Sequence, residues 1–233
     1  MSDCGFLSAL MVAVDRMDPA ALVEFKKRIT AIPPIGGGPR RFLVTMTDKD
    51  GATKRVPVTE PSVPQRLIDG RAGDGSLWVG LFEQAYASQR QKEIGADYFN
   101  RMGLVNKFYY TVGAVGEDMK VSINRVTGKK TAVAYPILPL TTPEALLKKI
   151  RDLAAMKQVM TICTPDKYID PVKQKRADEL HVHANHAYAV YGYSDTTKKV
   201  HLRNPHNSNA PGGKDIFLSI DDVKALFVEL AYE

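Results

Sequence analysis

His186-Ala187-Tyr188-Ala189-Val190-Tyr191-Gly192-Tyr193 and Val200-His201-Leu202-Arg203-Asn204, joined through Ser194-Asp195-Thr196-Thr197, read as two strands and a turn. β-Branched and aromatic residues fill both runs and polar turn formers fill the gap, the signature of an antiparallel hairpin. With pairing centred on Asp195, His186 and Asn204 stand directly opposite, their Cβ atoms about 4.5–5.5 Å apart. A centre one residue later makes them diagonal neighbours that can still touch. An Asn amide oxygen accepts from one imidazole nitrogen and fixes the tautomer, leaving the other nitrogen for chemistry.

The elements around the hairpin set the fold class. Val159 to Cys163 reads as a short buried strand, and Thr142-Pro143-Glu144 opens a helix running to about Met156. Downstream, Ser219-Ile220-Asp221-Asp222 starts a short helix in the manner of a capping box, and Leu226 to Tyr232 makes a last strand. At the front, Ser2-Asp3 caps a helix whose apolar face carries Phe6, Leu7, Leu10, Met11 and Val14, which places Cys4 in its first turn. Asp18-Pro19 begins a second helix. The connector Ile32 to Pro39 has its glycines without the Gly-Lys-Ser/Thr of a phosphate loop. Phe42 to Met46 and Arg55 to Val58 form a hairpin through Asp50-Gly51. Leu77 to Ile94 is a long helix with Trp78, Leu81, Phe82, Ala85 and Tyr86 at core spacing. Gly95 to Pro139 shows no clear period. Helices lead and antiparallel strands close the chain, so the expected class is α+β with segregated halves.

The chain has 233 residues, 44% hydrophobic and 25% charged, enough for one substantial core or two lobes. No apolar run approaches the roughly 18–20 residues of a membrane span, so no membrane is expected as a partner. The net charge of +6 is scattered without aromatic interleaving, so no nucleic acid is expected either. The first residues lack a basic region and a cleavage site. Two cysteines make no disulfide framework, and a reducing, cytoplasmic compartment is the default, with signal-less export left open.

All five histidines lie between His181 and His206, and the two cysteines are Cys4 and Cys163. A cysteine attacks carbonyls as thiolate, which a helix N-terminus and a nearby imidazole both favour. Cys4 meets the first condition, and the hairpin supplies His186 as base and Asn204 as orienter. The bland alternative is Cys4 as a small buried hydrophobe. Cys163, inside an apolar β-prone run, reads as inert core. A second chemistry comes from His181-Val182-His183-Ala184-Asn185-His186, which resembles the His-x-His-x-Asp-His zinc motif of metallo-β-lactamase hydrolases with Asn in place of Asp. On a continuous strand His181 and His183 share one face and His186 takes the other. His201, alternating with Val200 and Leu202, is expected on the solvent face.

Several blocks also resemble the catalytic core of calpain-like cysteine peptidases, which are papain-like in fold. Ser2-Asp3-Cys4-Gly5-Phe6-Leu7-Ser8-Ala9-Leu10 is similar to the family's Gly-Asp-Cys-Trp-Phe-Leu-Ala-Ala-Leu. Leu81-Phe82-Glu83-Gln84-Ala85-Tyr86-Ala87 is similar to its Leu-Leu-Glu-Lys-Ala-Tyr-Ala helix, and His186-Ala187-Tyr188-Ala189-Val190 to its His-Ala-Tyr-Ser-Val. Leu202-Arg203-Asn204-Pro205 resembles the Arg-Asn-Pro that precedes a tryptophan, and Asp215 to Leu230 the closing segment. The resemblance implies a single peptidase domain over residues 1–233, with a helical lobe of roughly 1–135 carrying Cys4 and an antiparallel β lobe of roughly 136–233 carrying His186 and Asn204. It implies hydrolysis of peptide bonds in a protein or peptide substrate through an acyl-thioester.

Four departures accompany the resemblance. The family's oxyanion-hole Gln lies further before the Cys than the three residues present here reach. A short N-terminal segment is therefore expected to be missing, as from a longer, multidomain protein. Gly5 replaces Trp and is expected to open the leaving-group side. Asn185 replaces Gly and is expected to narrow the pocket before the scissile bond. His206 replaces the Trp that covers the His–Asn bond. The family's calcium loops find no match, so no cofactor is expected. A catalytically impaired binding module and, less favoured, a zinc hydrolase using His181, His183 and His186 are the alternatives.

Overall fold

The computed structural model describes residues 3–60, 77–94, 117–206 and 215–233. The chain divides into two compact units, one of residues 1–3 and 17–117, the other of residues 4–16 and 118–233.

The N-terminal helix, α1 (Cys4–Arg16), belongs to the second unit. The first unit begins with α2 (Pro19–Lys26), capped by Asp18, whose carboxylate accepts the Ala21 N–H at 2.8 Å. Strands β1 (Ile29–Ile32), β2 (Arg41–Thr47) and β3 (Thr53–Thr59) form a three-stranded antiparallel sheet in chain order. The hairpin expected at Asp50-Gly51 is present. The Asp48 carboxylate accepts the Asp50 and Ala52 amides, and Gly51 takes φ +80°. Helix α3 (Leu77–Ile94) has the expected bounds, and Phe82 stacks on Phe25 of α2 at 5.0 Å between centroids. This unit therefore carries a sheet as well as helices. Strand β1 has only four residues, too short to show a period, and went unread in the sequence.

The second unit contains α1 together with α4 (Met119–Thr127), β4 (Val133–Pro136), α5 (Pro143–Ala155), β5 (Met160–Cys163) and α6 (Pro171–Glu179). It continues with β6 (Ala187–Ser194), β7 (Lys199–Arg203), β8 (Asp215–Leu218), α7 (Ile220–Leu226) and β9 (Glu229–Tyr232). Its six strands form one antiparallel sheet in the order β4-β9-β5-β6-β7-β8. Leu146, Ile150 and Leu153 of α5 and Val223 and Leu226 of α7 pack with Met160, Ile162, Val190, Leu202 and Leu230 in one core. Alternation along the strands puts Ala189, Thr161 and Ala231 on the other face. These three are register partners across β6, β5 and β9, and all are fully buried. A row of small side chains lets a helix lie close to the sheet.

Helix α1 packs on that face, against β6, β5 and α4. Helix α1 thus groups with the strands of this unit. The cause is its composition: Phe6, Leu7, Ala9, Leu10 and Val12 are nearly inaccessible to solvent, so α1 is apolar almost all round and must be covered on more than one side. Arg16 donates to the Val190 and Tyr191 carbonyls, and Tyr191 donates to Asp15, tying the C-terminal end of α1 to β6. The architecture is mixed α+β with antiparallel sheets. No helix among the described residues is long and apolar enough to cross a membrane.

Candidate active site

Cys4 is the first residue of α1 and is 8% exposed. At that position the partial positive charge of the helix terminus favours a thiolate. Its Sγ accepts the Ala187 backbone N–H at 3.3 Å, and Ser8, one turn further along the same face, donates its hydroxyl to the Ala187 carbonyl at 3.1 Å. The residue just after His186 is thus held at both its N–H and its C=O by α1.

His186 leads into β6 from a tight turn. Asn185 has φ +50°, a left-handed conformation that glycine takes freely and Asn tolerates, and its N–H donates to the Pro165 carbonyl at 2.7 Å. The Thr164 hydroxyl accepts the His186 N–H at 3.0 Å and lies 2.8 Å from the His183 carbonyl, to which it donates. Tyr188 accepts the His183 N–H on its phenol oxygen at 2.8 Å and sets its ring edge-on to His186, 4.7 Å between centroids.

The pairing register differs from a centre at Asp195. Ser194 pairs with Lys199, so the loop is Asp195 to Lys198, with Lys198 at φ +57°. Tyr191 is then an extra residue between the Val190–Leu202 and Gly192–His201 pairs, a bulge in which Gly192 takes φ +137°. The ladder beyond the bulge pairs Ala189 with Arg203, and its continuation sets Asn204 across from Tyr188. His186 and Asn204 are therefore diagonal neighbours, not direct opposites. Their side chains close the gap, with His186 Nε2 3.0 Å from Asn204 Oδ1.

That oxygen also accepts the His206 backbone N–H at 3.0 Å. A backbone amide only donates, so the atom it meets must be the Asn204 oxygen, not its amide nitrogen. The oxygen in turn requires the proton on His186 Nε2, which leaves Nδ1 of the neutral ring as the basic nitrogen. Asn204 is buried at 3% exposure, and the His206 ring lies 5.2 Å from the His186 ring, tilted by 35°. Burial lowers the His186 pKa from 6.5 to about 4. The Asn204 hydrogen bond opposes that shift, and His206 and His183 add to it.

The remaining candidates separate. Cys163 is half-buried, and burial, aided by the charges of Glu229, Cys4 and Asp166, pushes its thiol up to about 12. Gly5 is buried, and a Cβ there would point at α4, with Ser122 Oγ at 3.4 Å. His181, at φ +54°, and His183 are exposed, and the His183 ring lies edge-on to His186 at 6.0 Å. His186 Nε2 is engaged by Asn204, and no group of three His, Cys, Asp or Glu side chains among the described residues is placed to hold a metal. His201 lies on the opposite face from Val200 and Leu202, between the Tyr191 and Phe217 rings, with Nε2 2.7 Å from Asp215.

Sequence reasoning missed Ser8, Thr164 and Tyr188. Ser8 left a readable signal, a polar residue four positions after Cys4 within an apolar face. Thr164 and Tyr188 left none, because their roles depend on a turn that only the fold brings against them. No protein-family model matches the chain, and no curated protein matches its sequence.

Proposed function

We propose that this chain is a cysteine peptidase, papain-like in fold and resembling the calpain catalytic core, with Cys4 as nucleophile, His186 as acid and base, and Asn204 as orienter. The observation that carries the reading is the join between the chain's two ends: Cys4 Sγ hydrogen-bonded to the amide next to His186, whose Nε2 is held by Asn204. The left-handed backbone at Asn185 supports it as well, since the resemblance has glycine there.

The chemistry follows from the tautomer. His186 Nδ1 takes the Cys4 thiol proton as sulfur attacks the substrate carbonyl carbon. The tetrahedral adduct collapses when the same nitrogen returns the proton to the leaving amine, giving an acyl-thioester. Water, deprotonated by Nδ1, then attacks the thioester carbonyl, and the carboxylic acid leaves as the thiol is restored. Throughout, Asn204 holds the ring and stabilises its protonated form through Nε2–H, with the His206 ring 5.2 Å from the His186 ring.

The test is labelling of the full chain with a thiol-directed peptidyl epoxide, located by peptide mass spectrometry, beside hydrolysis of a fluorogenic peptide. The expected result is one label on Cys4, lost together with hydrolysis in Cys4→Ala. Labelling of Cys163 alone, or no labelling of Cys4 in a folded chain, overturns the proposal.

A further inference from the structure

Away from the thiol, residues after β4, β5 and within α7 enclose a trough of about 620 Å³, within the roughly 300–1,000 Å³ usual for ligand sites. Its walls are fixed. Tyr168 donates its hydroxyl to the Leu226 carbonyl at 3.1 Å, Ile137 N–H donates to the Val228 carbonyl at 2.8 Å, and Lys224 reaches the Pro139 carbonyl at 3.3 Å. A site with such walls exists before any ligand arrives.

Two properties set this trough apart. Leu138, Ile169 and Val228 line it at 56%, 84% and 42% exposure, and Leu140 and Val172 lie close in the chain to lining residues. The three lining residues are among the ten large apolar side chains exposed among the described residues, and they share one concave surface. A concentration of this kind marks a contact surface, whereas single exposed apolar residues do not. The second property is charge. Lys167, Lys173 and Lys224 all line the trough, and none forms a salt bridge among the described residues. Asp170 is the one acidic lining residue, and its carboxylate is engaged by the Val172 N–H as the cap of α6.

We infer that the trough docks a short acidic peptide segment, one that alternates apolar side chains with Asp or Glu. In an extended strand alternate side chains point to opposite sides, so one set meets the apolar wall while the carboxylates meet lysines held by two separate stretches of chain, Lys167 and Lys173 on one and Lys224 on the other. Three separated cations around a concave apolar floor match a row of carboxylates along a peptide better than the single headgroup of a fatty acid or the flat surface of a bilayer. The trough shares Pro165 with the turn that carries His186, since the Pro165 carbonyl holds the Asn185 amide. A bound segment therefore lies beside the proposed catalytic residues without using them.

The test is fluorescence polarisation on the full chain carrying Cys4→Ala, which prevents cleavage of the probe. A labelled peptide alternating Glu with Leu is compared with its Lys-for-Glu and Ser-for-Leu counterparts, and with phosphatidylserine-containing vesicles and a long-chain fatty acid. The Glu/Leu peptide is expected to bind. Its affinity is expected to fall at least about tenfold in the surface variant Lys167→Glu/Lys173→Glu, because two attractive pairs become repulsive, and to fall with added salt. An unchanged melting temperature establishes that this variant folds. Equal binding of the Lys/Leu peptide, an affinity unmoved by the double variant, or binding of vesicles or fatty acid in place of the peptide overturns the inference. Because the readout is binding to a chain without its thiol, its failure leaves the Cys4 labelling result untouched, and the reverse also holds.

Discussion

Lowering the pH from 7 to 5 is expected to destabilise this protein through His186 in particular. Burial holds that imidazole at about 4, whereas in the unfolded chain it returns to 6.5. Between those two values the unfolded chain binds more protons than the folded one, so stability rises with pH through this window. The contribution is complete above about pH 6.5 and is lost as the pH falls towards 4. Each tenfold difference in proton affinity between the folded and unfolded chain is worth about 1.4 kcal/mol, so the full effect approaches about 3 kcal/mol and the part lost by pH 5 is about 2 kcal/mol. Urea denaturation at pH 7, 6 and 5 reads it, with His186→Gln as the reference. Wild type should lose about 2 kcal/mol more than the variant between pH 7 and 5, because the other four histidines are common to both. The same neutral ring is the base of the proposed reaction, so the acid limb of hydrolysis should fall near pH 4. An NMR titration of the His186 ring gives the decisive check. A midpoint at or above 6.5 in wild type that drops in Cys4→Ala would refute the reasoning: the imidazolium would then be held by a Cys4 thiolate, with burial outweighed.

Asn204→Ala should cost about 2–3 kcal/mol of stability in chemical denaturation, because it strands the His206 N–H and His186 Nε2–H donors in a buried place. Asn204→Asp should act differently, raising the His186 pKa by attraction and moving the acid limb of hydrolysis upward. Thr164→Val should lower kcat with little change in KM, and should broaden the His186 resonances, because the turn before the ring loses the hydroxyl that ties it down; an unchanged kcat would mean the turn is held without it. Cys163, its thiol pushed up to about 12, should resist iodoacetamide at pH 8 while Cys4 reacts, and stoichiometric alkylation of Cys163 in the native chain would contradict its burial.

The sequence was most readable where local physics acts alone. Helix starts with a polar cap and a proline, at Asp18-Pro19 and Thr142-Pro143, fell where expected because the cap bond and the fixed proline angle are made within four residues. The α3 helix was equally plain from its apolar spacing. Strand β4 was not, for it has four residues of mixed burial, and its place at the sheet edge depends wholly on pairing with β9. Helix α6 was missed because one buried side chain, Ala177, gives no periodic stripe. At the site, the partners His186 and Asn204 followed from strand pairing, and of the two registers the sequence allows the structure takes the diagonal one. The turn, Asp195 to Lys198, is centred beyond Asp195, and the bulge at Tyr191 moves the pairing back by one residue to the diagonal register; Gly192, at the bulge, reads equally well as an ordinary strand glycine. The diagonal contact survives because the two side chains are long enough to span it.

The thiol and the imidazole come from opposite ends of the chain, and the packing of α1 on the sheet brings them together before their own hydrogen bonds complete the contact. Helix α1 rests on Ala189, Thr161 and Ala231, a surface flat enough to fix its height above the sheet, and its two ends are tied to β6 through Ser8 and through Arg16 and Asp15. Pairing with β7 begins only at Ala189, so on that side Ala187 lies beyond the ladder, while on the other it pairs with Cys163 of β5. A helix held at that height and beginning at residue 4 delivers the sulfur to the Ala187 amide, and the amide belongs to the residue after His186. The scaffold thereby places the Cys4 thiol by backbone and small residues, and the sulfur's bond to the Ala187 N–H and the His186–Asn204 bond complete the join. Loss of reactivity on replacing either is a statement about chemistry where the variant's melting temperature is unchanged, because both side chains also hold buried hydrogen bonds.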